Sequence, residues 1–394
     1  MGERLRRLRP KLRPRLEVAA LVVFILVGLV IVSPETFSRL FQPSTEGLKE
    51  AMYYSKSDDK TVQCQLCFRR CTIRAGSRGF CKNRVNIGGT LYTLVYEKPC
   101  AIQIDPVEKE PLFHVLPDSS IFCIGTSGCN FRCSFCQNWH MSHKRPEEVS
   151  YYTKTPEDLV DLALHFNCTG FHFTYNEPTV FYEFMLDVAM EAQGRGLATA
   201  LHSNGAMNPE PLRELLKHLD AVTIDLKSFD QEFYDYVTEQ AVSGPYTPSS
   251  PALESVLSTL KTIKEEGVWL EIVNLVIPTL NDDMEGIREM CIWIRDNLGD
   301  DVPLHFLRFM PAFKLTKLPP TPVETLEEAR RIAISVGLKY VYVGNVPGHE
   351  GNISYCPGCG EPLIVRYHFS VLQNNLKDGR CKFCGYEIPG IWGN

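Results

Sequence analysis

At 394 residues the chain has room for one large domain and smaller appendages. Its 44% hydrophobic and 22% charged residues exclude a disordered or coiled-coil protein. The net charge of −6 is uneven: residues 1–15 carry seven basic groups against Glu3, leaving −12 on the remainder, so no nucleic-acid partner is expected.

Past the basic start runs an apolar stretch from Val18 to Val32. As a helix it would span about 22 Å at ~1.5 Å per residue, short of a ~30 Å hydrocarbon core. Bilayer thinning and snorkelling arginines close that gap. Ser33-Pro34-Glu35 offers no A-x-A cleavage site, so residues 1–33 are expected to form a basic N-terminus and an uncleaved single-pass membrane anchor. The positive-inside rule places residues 1–15 in the cytoplasm and the rest opposite, which conflicts with a catalytic body needing a reducing, cytoplasmic compartment.

A polar linker is expected over 34–59. A loop-rich subdomain over 60–118 then holds Cys64, Cys67, Cys71 and Cys81. From residue 119 the pattern becomes regular. Apolar strand-like runs occur at 121–125, 170–174, 198–202, 221–226, 268–276, 303–308 and 339–343, separated by amphipathic helical patterns at 156–166, 180–195, 209–218, 251–266, 284–297 and 324–336. Near-continuous apolar strands alternating with helices predict a parallel sheet covered by helices, a full or partial (β/α) barrel over 119–350. A terminal unit, 351–394, holds Cys356, Cys359, Cys381 and Cys384.

Eleven of the fifteen cysteines fall into three groups whose C-x-x-C spacing suits a shared metal better than disulfides. Cys356-x2-Cys359 and Cys381-x2-Cys384, each followed by glycine, form a four-thiolate knuckle for zinc or rubredoxin-like iron. Cys64, Cys67, Cys71 and Cys81 supply four more thiolates for zinc or an Fe–S cluster; spacing alone does not decide, and zinc is the favoured occupant. The third group, Cys129, Cys133 and Cys136, follows the first barrel strand, where loops line the mouth. Three thiolates on one loop suit a cubane cluster whose fourth iron lacks a protein ligand. Zinc would need a fourth ligand, and His140 is near enough in sequence.

Gly128 to Trp139, with its C-x3-C-x-aromatic-C, resembles the radical SAM superfamily. Asp105 to His114, Thr174 to Thr179, Asp225-Leu226-Lys227 and Tyr340 to Asn345 extend the resemblance to AmmeMemoRadiSam-system radical SAM enzymes, relatives of glycyl-radical-enzyme activases such as pyruvate formate-lyase activase. It implies an α/β, partial (β/α)6-type barrel with metal-binding appendages, a [4Fe–4S] cluster on Cys129, Cys133 and Cys136, and S-adenosylmethionine on the open iron. One electron, from a donor such as flavodoxin or ferredoxin, would cleave the sulfonium to a 5′-deoxyadenosyl radical. That radical would abstract hydrogen from a macromolecular substrate.

By the same resemblance, Asn176 and Glu177 would meet the methionyl group, Asn204 the ribose or methionine, Asp225 and Lys227 the cofactor, and His305 the ribose. Each has a plainer reading: a turn for Asn176-Glu177 and Asn204, an ion pair for Asp225-Lys227, and a satisfied core histidine for His305. Glu108, Lys109 and His114 would face the substrate. Rival functions are a radical SAM methylase or lipid-modifying enzyme, and a non-catalytic zinc-ribbon interaction protein.

Overall fold

The computed structural model describes residues 45–238 and 244–393. The unit described below spans Gly47–Asn394. The apolar run 18–32, expected as a membrane anchor, lies outside the described residues. Among the described residues no helix is long and apolar enough to cross a membrane.

Short antiparallel strands build the N-terminal subdomain. β1 (Lys49–Glu50), β6 (Thr90–Thr93) and β5 (Arg84–Ile87) make one sheet; β2 (Tyr54–Lys56), β3 (Val62–Cys64) and β4 (Thr72–Ile73) make another. β1 and β2 fall inside the stretch expected as linker, 34–59. They are fixed there because Ala51 is buried and the Met52 amide donates to the Glu183 carboxylate at 2.7 Å.

The central sheet has eight strands: β7 (Ala101–Pro106), β8 (Ser120–Gly125), β9 (Gly170–Phe173), β10 (Ala198–Ser203), β11 (Ala221–Asp225), β12 (Trp269–Val276), β13 (Leu304–Arg308) and β14 (Val341–Gly344). They lie in chain order across the sheet. β8 to β14 are parallel neighbours, while β7 pairs antiparallel with β8. All seven strand-like runs of the sequence are the seven parallel strands, one more than a six-unit barrel. β7 was not legible as a strand, since it is a margin with much of its length half-buried or exposed and ends on Pro106.

Helices Pro156–His165, Tyr182–Gly194, Pro209–Leu216, Ala252–Glu265, Met284–Leu298 and Val323–Val336 occupy the predicted helical stretches. Thr155 caps the first through the Asp158 amide, Asp283 caps the fifth through the Gly286 amide, and Gly337, with φ +111°, ends the last. A short helix Gln231–Val237 follows β11 and was not anticipated.

Period-two alternation divides each strand between two environments. Phe122, Ile124, Phe171, Phe173, Leu201, Val222 and Ile224 pack into the main core. Each such side chain stabilises the fold by about 1.5–3 kcal/mol. The alternate positions, Cys123, His172, His202, Asp225, Glu271, His305 and Tyr342, make a polar layer on the other face.

Segment 107–116 crosses that polar face. Glu110 accepts from Thr174 Oγ1 at 2.8 Å and pairs with His172 Nδ1 at 3.2 Å. Glu271 accepts from the Phe113 and His114 amides at 3.0 and 2.8 Å. The C-terminal unit, built from β15 (Ser354–Tyr355), β16 (Pro362–Tyr367), β17 (Ser370–Asn374), β18 (Leu376–Lys377) and β19 (Arg380–Cys381), holds the segment from outside. Arg366 donates to the Phe113 carbonyl at 2.6 Å, and His114 bonds the Pro389 carbonyl at 2.8 Å and Tyr342 Oη at 2.7 Å. Glu108 and His114, expected to face substrate, are buried in this plug, and Glu108 also lines a cleft beside Lys109. Only Lys109 stays accessible, paired with Asp105 at 2.7 Å.

Candidate functional site

The loop after β8 carries the cysteine triplet, and its entry is tightly fixed. Gly128 has φ +82°, and a Cβ there would come within 2.5 Å of the Cys81 carbonyl oxygen. Only glycine fits without displacing that backbone. Asn176, just past β9, clamps the same turn: its Nδ2 donates to the Ser127 and Gly128 carbonyls at 3.2 and 2.8 Å, and its Oδ1 accepts from the Thr126 amide at 3.1 Å.

Each end of the triplet has a hydrogen-bonding group beside its sulfur. The Phe131 amide lies 3.3 Å from Cys129 Sγ, Asn204 Nδ2 lies 3.9 Å from it, and Ser142 Oγ lies 3.2 Å from Cys136 Sγ. Cys133 lies within the field of Lys227, which opposes the burial that pushes its thiol up to about 12. Burial, with Glu177 and Cys133 nearby, raises Cys129 well above the ordinary thiol range. Thiols so buried become thiolates when a metal replaces the proton.

Among the described residues this donor set lacks the close spacing of a single-ion site. Bonds of ~2.3 Å to tetrahedral zinc bring thiolates to about 3.8 Å of one another. Among the described residues that spacing is met by Cys356, Cys359, Cys381 and Cys384, whose sulfurs all lie within 4.8 Å of one another. The Cys356–Cys384 and Cys359–Cys381 pairs are 3.6 and 3.8 Å apart. Cys129, Cys133 and Cys136 form no such group. His140, the fourth ligand a zinc would need, is exposed on the short helix Trp139–Ser142 and belongs to no such group either.

Asp225 and Lys227 close β11 as an ion pair, Nζ to Oδ2 2.6 Å, and Lys227 Nζ sits 5.7 Å above the Phe135 ring of the triplet loop. His202, at the end of β10, bonds the other Asp225 oxygen at 3.0 Å. Against their burial, Lys227 and His202 hold the Asp225 carboxyl well below the usual carboxylate range. Burial would lower the His202 pKa, but Asp225 outweighs it and the net shift is upward. His202 was missed from sequence because an isolated histidine in a strand carries no motif; period-two spacing from Asn204 was the available signal.

Glu177 is a strut between strand ends. Its Oε1 accepts from the Thr179 amide at 3.0 Å and Ser203 Oγ at 2.8 Å, and its Oε2 from the Asn204 amide at 2.8 Å. Asn204 is itself bonded to Asn130 Oδ1 at 2.7 Å. The turn reading of both stretches is therefore realised, with the turns packed against the cysteine loop.

His305 takes the plainer of its two readings. It is buried, its Nε2 lies 2.7 Å from Glu271 Oε2, and its ring packs on Tyr342 and Phe113 at centroid distances of 4.9 Å. This is a satisfied core histidine. It borders a cleft lined also by Glu108, Lys109, Pro111, Leu307 and Asn345.

The family model of the radical SAM superfamily matches residues 123–291. An uncharacterized protein of Methanocaldococcus jannaschii is 46% identical over 343 residues, 86% of this chain and 99% of that one. The pyruvate formate-lyase-activating enzyme of Clostridium pasteurianum is 28% identical over 178 residues, 43% of this chain and 67% of that enzyme. A solved domain of a pyruvate-formate lyase-activating enzyme from Bacteroides vulgatus shares 20% identity, covers 45% of this chain and 99% of its own, and superposes with a TM-score of 0.37.

Proposed function

The chain belongs to the radical SAM superfamily, and on that premise we propose that Cys129, Cys133 and Cys136 hold a [4Fe–4S] cluster whose fourth iron takes S-adenosylmethionine. When bound, that pair supplies a one-electron cleavage of the sulfonium and a carbon radical able to abstract hydrogen. The observation carrying this reading is the triplet itself: three half-buried thiols on one clamped loop, with hydrogen-bonding groups at the sulfurs and, among the described residues, no single-ion ligand group around them.

The chain's own residues do the positioning. Asn176 and Gly128 fix the loop's entry, and the amide of Phe131 with Ser142 stabilises the thiolates through hydrogen bonds. Lys227, held by Asp225 and His202, presents positive charge beside Cys133 and would meet the cofactor's carboxylate. Glu177 keeps the ends of β9 and β10 in register, so that Asn204 stays on Cys129. Phe131 and Phe135, both buried, exclude water from the loop. A dry site strengthens every one of these electrostatic contacts.

The finer reading is an activating-enzyme-like or protein-modifying reaction, supported by the similarity to an enzyme named for activating pyruvate formate-lyase. The electron would come from a flavodoxin- or ferredoxin-class donor. The apolar run 18–32 would tether the enzyme to a membrane, with the catalytic body in a reducing compartment. The C-terminal quartet, with its single-ion spacing, would hold zinc as a structural clamp on the plug segment.

The test is anaerobic reconstitution with iron, sulfide, dithionite and S-adenosylmethionine, followed by assay for 5′-deoxyadenosine. Production in the parent and its loss in Cys133→Ala are expected. Undiminished product in that variant would overturn the assignment.

A further inference from the structure

The N-terminal cysteines converge on one place. Cys64, Cys67, Cys71 and Cys81 line one small cleft, together with Arg69, Arg84 and Asn130. The cleft is built, not incidental. Cys64 ends β3, Cys71 adjoins β4, and their strands are joined by the Cys64 amide to Cys71 carbonyl bond at 3.0 Å.

Two buried guanidinium groups lie beside these thiols. Arg84 is fully buried, its NH1 3.7 Å from Cys64 Sγ and its NH2 paired with Glu183. Arg69 is also buried, in the joint field of Cys67, Cys71 and Cys129. Buried guanidinium groups beside thiols are favourable when the thiols are ionised. Four thiolates around Zn²⁺ or around an oxidised cubane leave the same net charge, so this observation fits either.

Spacing separates them. The C-terminal quartet has its sulfurs drawn together around a point, as one tetrahedral ion demands. Among the described residues no three of Cys64, Cys67, Cys71 and Cys81 approach that closely, although all four face one cleft. A cubane spreads its four thiolates over the corners of a larger tetrahedron. We propose that these four cysteines hold a second [4Fe–4S] cluster, fully ligated by protein, rather than zinc.

Its place suggests its use. Arg69 Nε donates to the carbonyl of Asn130, the residue after Cys129, at 2.6 Å. Asn83 Nδ2 donates to the Ser127 carbonyl at 2.6 Å, and the Cys81 carbonyl abuts Gly128. The two cysteine loops are thus in direct contact. A cluster with every iron ligated offers no position for substrate, which leaves electron carriage. It would take one electron from a low-potential ferredoxin- or flavodoxin-class donor, and return to its oxidised state by passing that electron to the triplet's site. This last step rests on the function proposed above; the metal assignment does not.

The measurement is iron, zinc and acid-labile sulfide per chain, with EPR after dithionite, on the anaerobically reconstituted triple variant Cys129→Ala/Cys133→Ala/Cys136→Ala. One remaining [4Fe–4S] cluster is expected, reduced to a spin-half signal that S-adenosylmethionine leaves unchanged. No labile sulfide, with zinc in its place, would overturn the proposal. If the triple variant fails to fold, the parent decides: sulfide for two cubanes supports the proposal and sulfide for one refutes it. Fully reduced parent, freed of excess dithionite and mixed with S-adenosylmethionine, should yield a second equivalent of 5′-deoxyadenosine. A yield limited to one equivalent refutes the relay and leaves the cluster assignment to the sulfide count.

Discussion

Replacing Lys227 by methionine tests whether Asp225 and Lys227 form a mutually dependent buried pair. The ammonium sits 2.6 Å from Asp225 Oδ2, and its side chain is only 10% exposed against 27% for Asp225. Removing one partner of a fully buried pair costs about 3–5 kcal/mol, because the other charge stays desolvated. Here solvent reaches Asp225 and His202 remains bonded to it at 3.0 Å, so we expect about 2 kcal/mol, a roughly thirtyfold fall in the folded-to-unfolded ratio. Asp225→Asn/Lys227→Met removes both charges and should return to within about 1 kcal/mol of the parent. The assay is anaerobic urea unfolding followed by both tryptophan fluorescence and cluster absorbance, used where the two transitions coincide. 5′-Deoxyadenosine formation should be impaired in the single and double variants alike. A double variant as destabilised as the sum of its single changes would refute the pairing, and full turnover in Lys227→Met would refute its place at the site.

Glu177→Gln exchanges a carboxylate carrying donors from Thr179, Ser203 and Asn204 for a neutral amide. We expect a loss of about 2–3 kcal/mol in stability and reduced iron retention, measured by denaturation and iron analysis; unchanged values would show that the strut is dispensable. Cys384→Ala should cost stability and release zinc while the visible spectrum of the triplet's cluster survives, and metal analysis with thermal unfolding reads both. The His202 pKa is raised in the fold, with Asp225, Glu110 and Lys227 facing it. A raised histidine contributes stability that is full below its unfolded pKa of about 6.5 and is lost as pH climbs through the folded value. Asp225→Asn should flatten that alkaline decline in a pH series of unfolding midpoints, and an unaltered slope would remove His202 from the account.

Local pattern made much of this protein legible. Ligand spacing is a short-range property: three cysteines in eight residues, or two C-x-x-C knuckles each followed by glycine, can be read without the fold. Strand and helix periodicity is equally local, so the seven parallel strands and their covering helices were found where the apolar runs put them. β7 and the helix Gln231–Val237 escaped, the one a half-exposed margin and the other too short for its period to stand out.

What tertiary structure alone decided are the pairings between distant segments. Glu271 meets His305 and the Phe113 and His114 amides because β12, β13 and the plug converge on one face, which turned two supposed ligand contacts into struts. Strand register places His202 against Asp225, and the loop fold leaves His140 exposed. Cys64, Cys67, Cys71 and Cys81 read alike for zinc or a cluster along the chain. Their separation in space, which two small sheets fix, is the observation on which the proposal of a cluster rests. Sequence specifies which groups exist and which way a local element turns them, whereas the partners of a buried charge are fixed only by packing across the whole sheet.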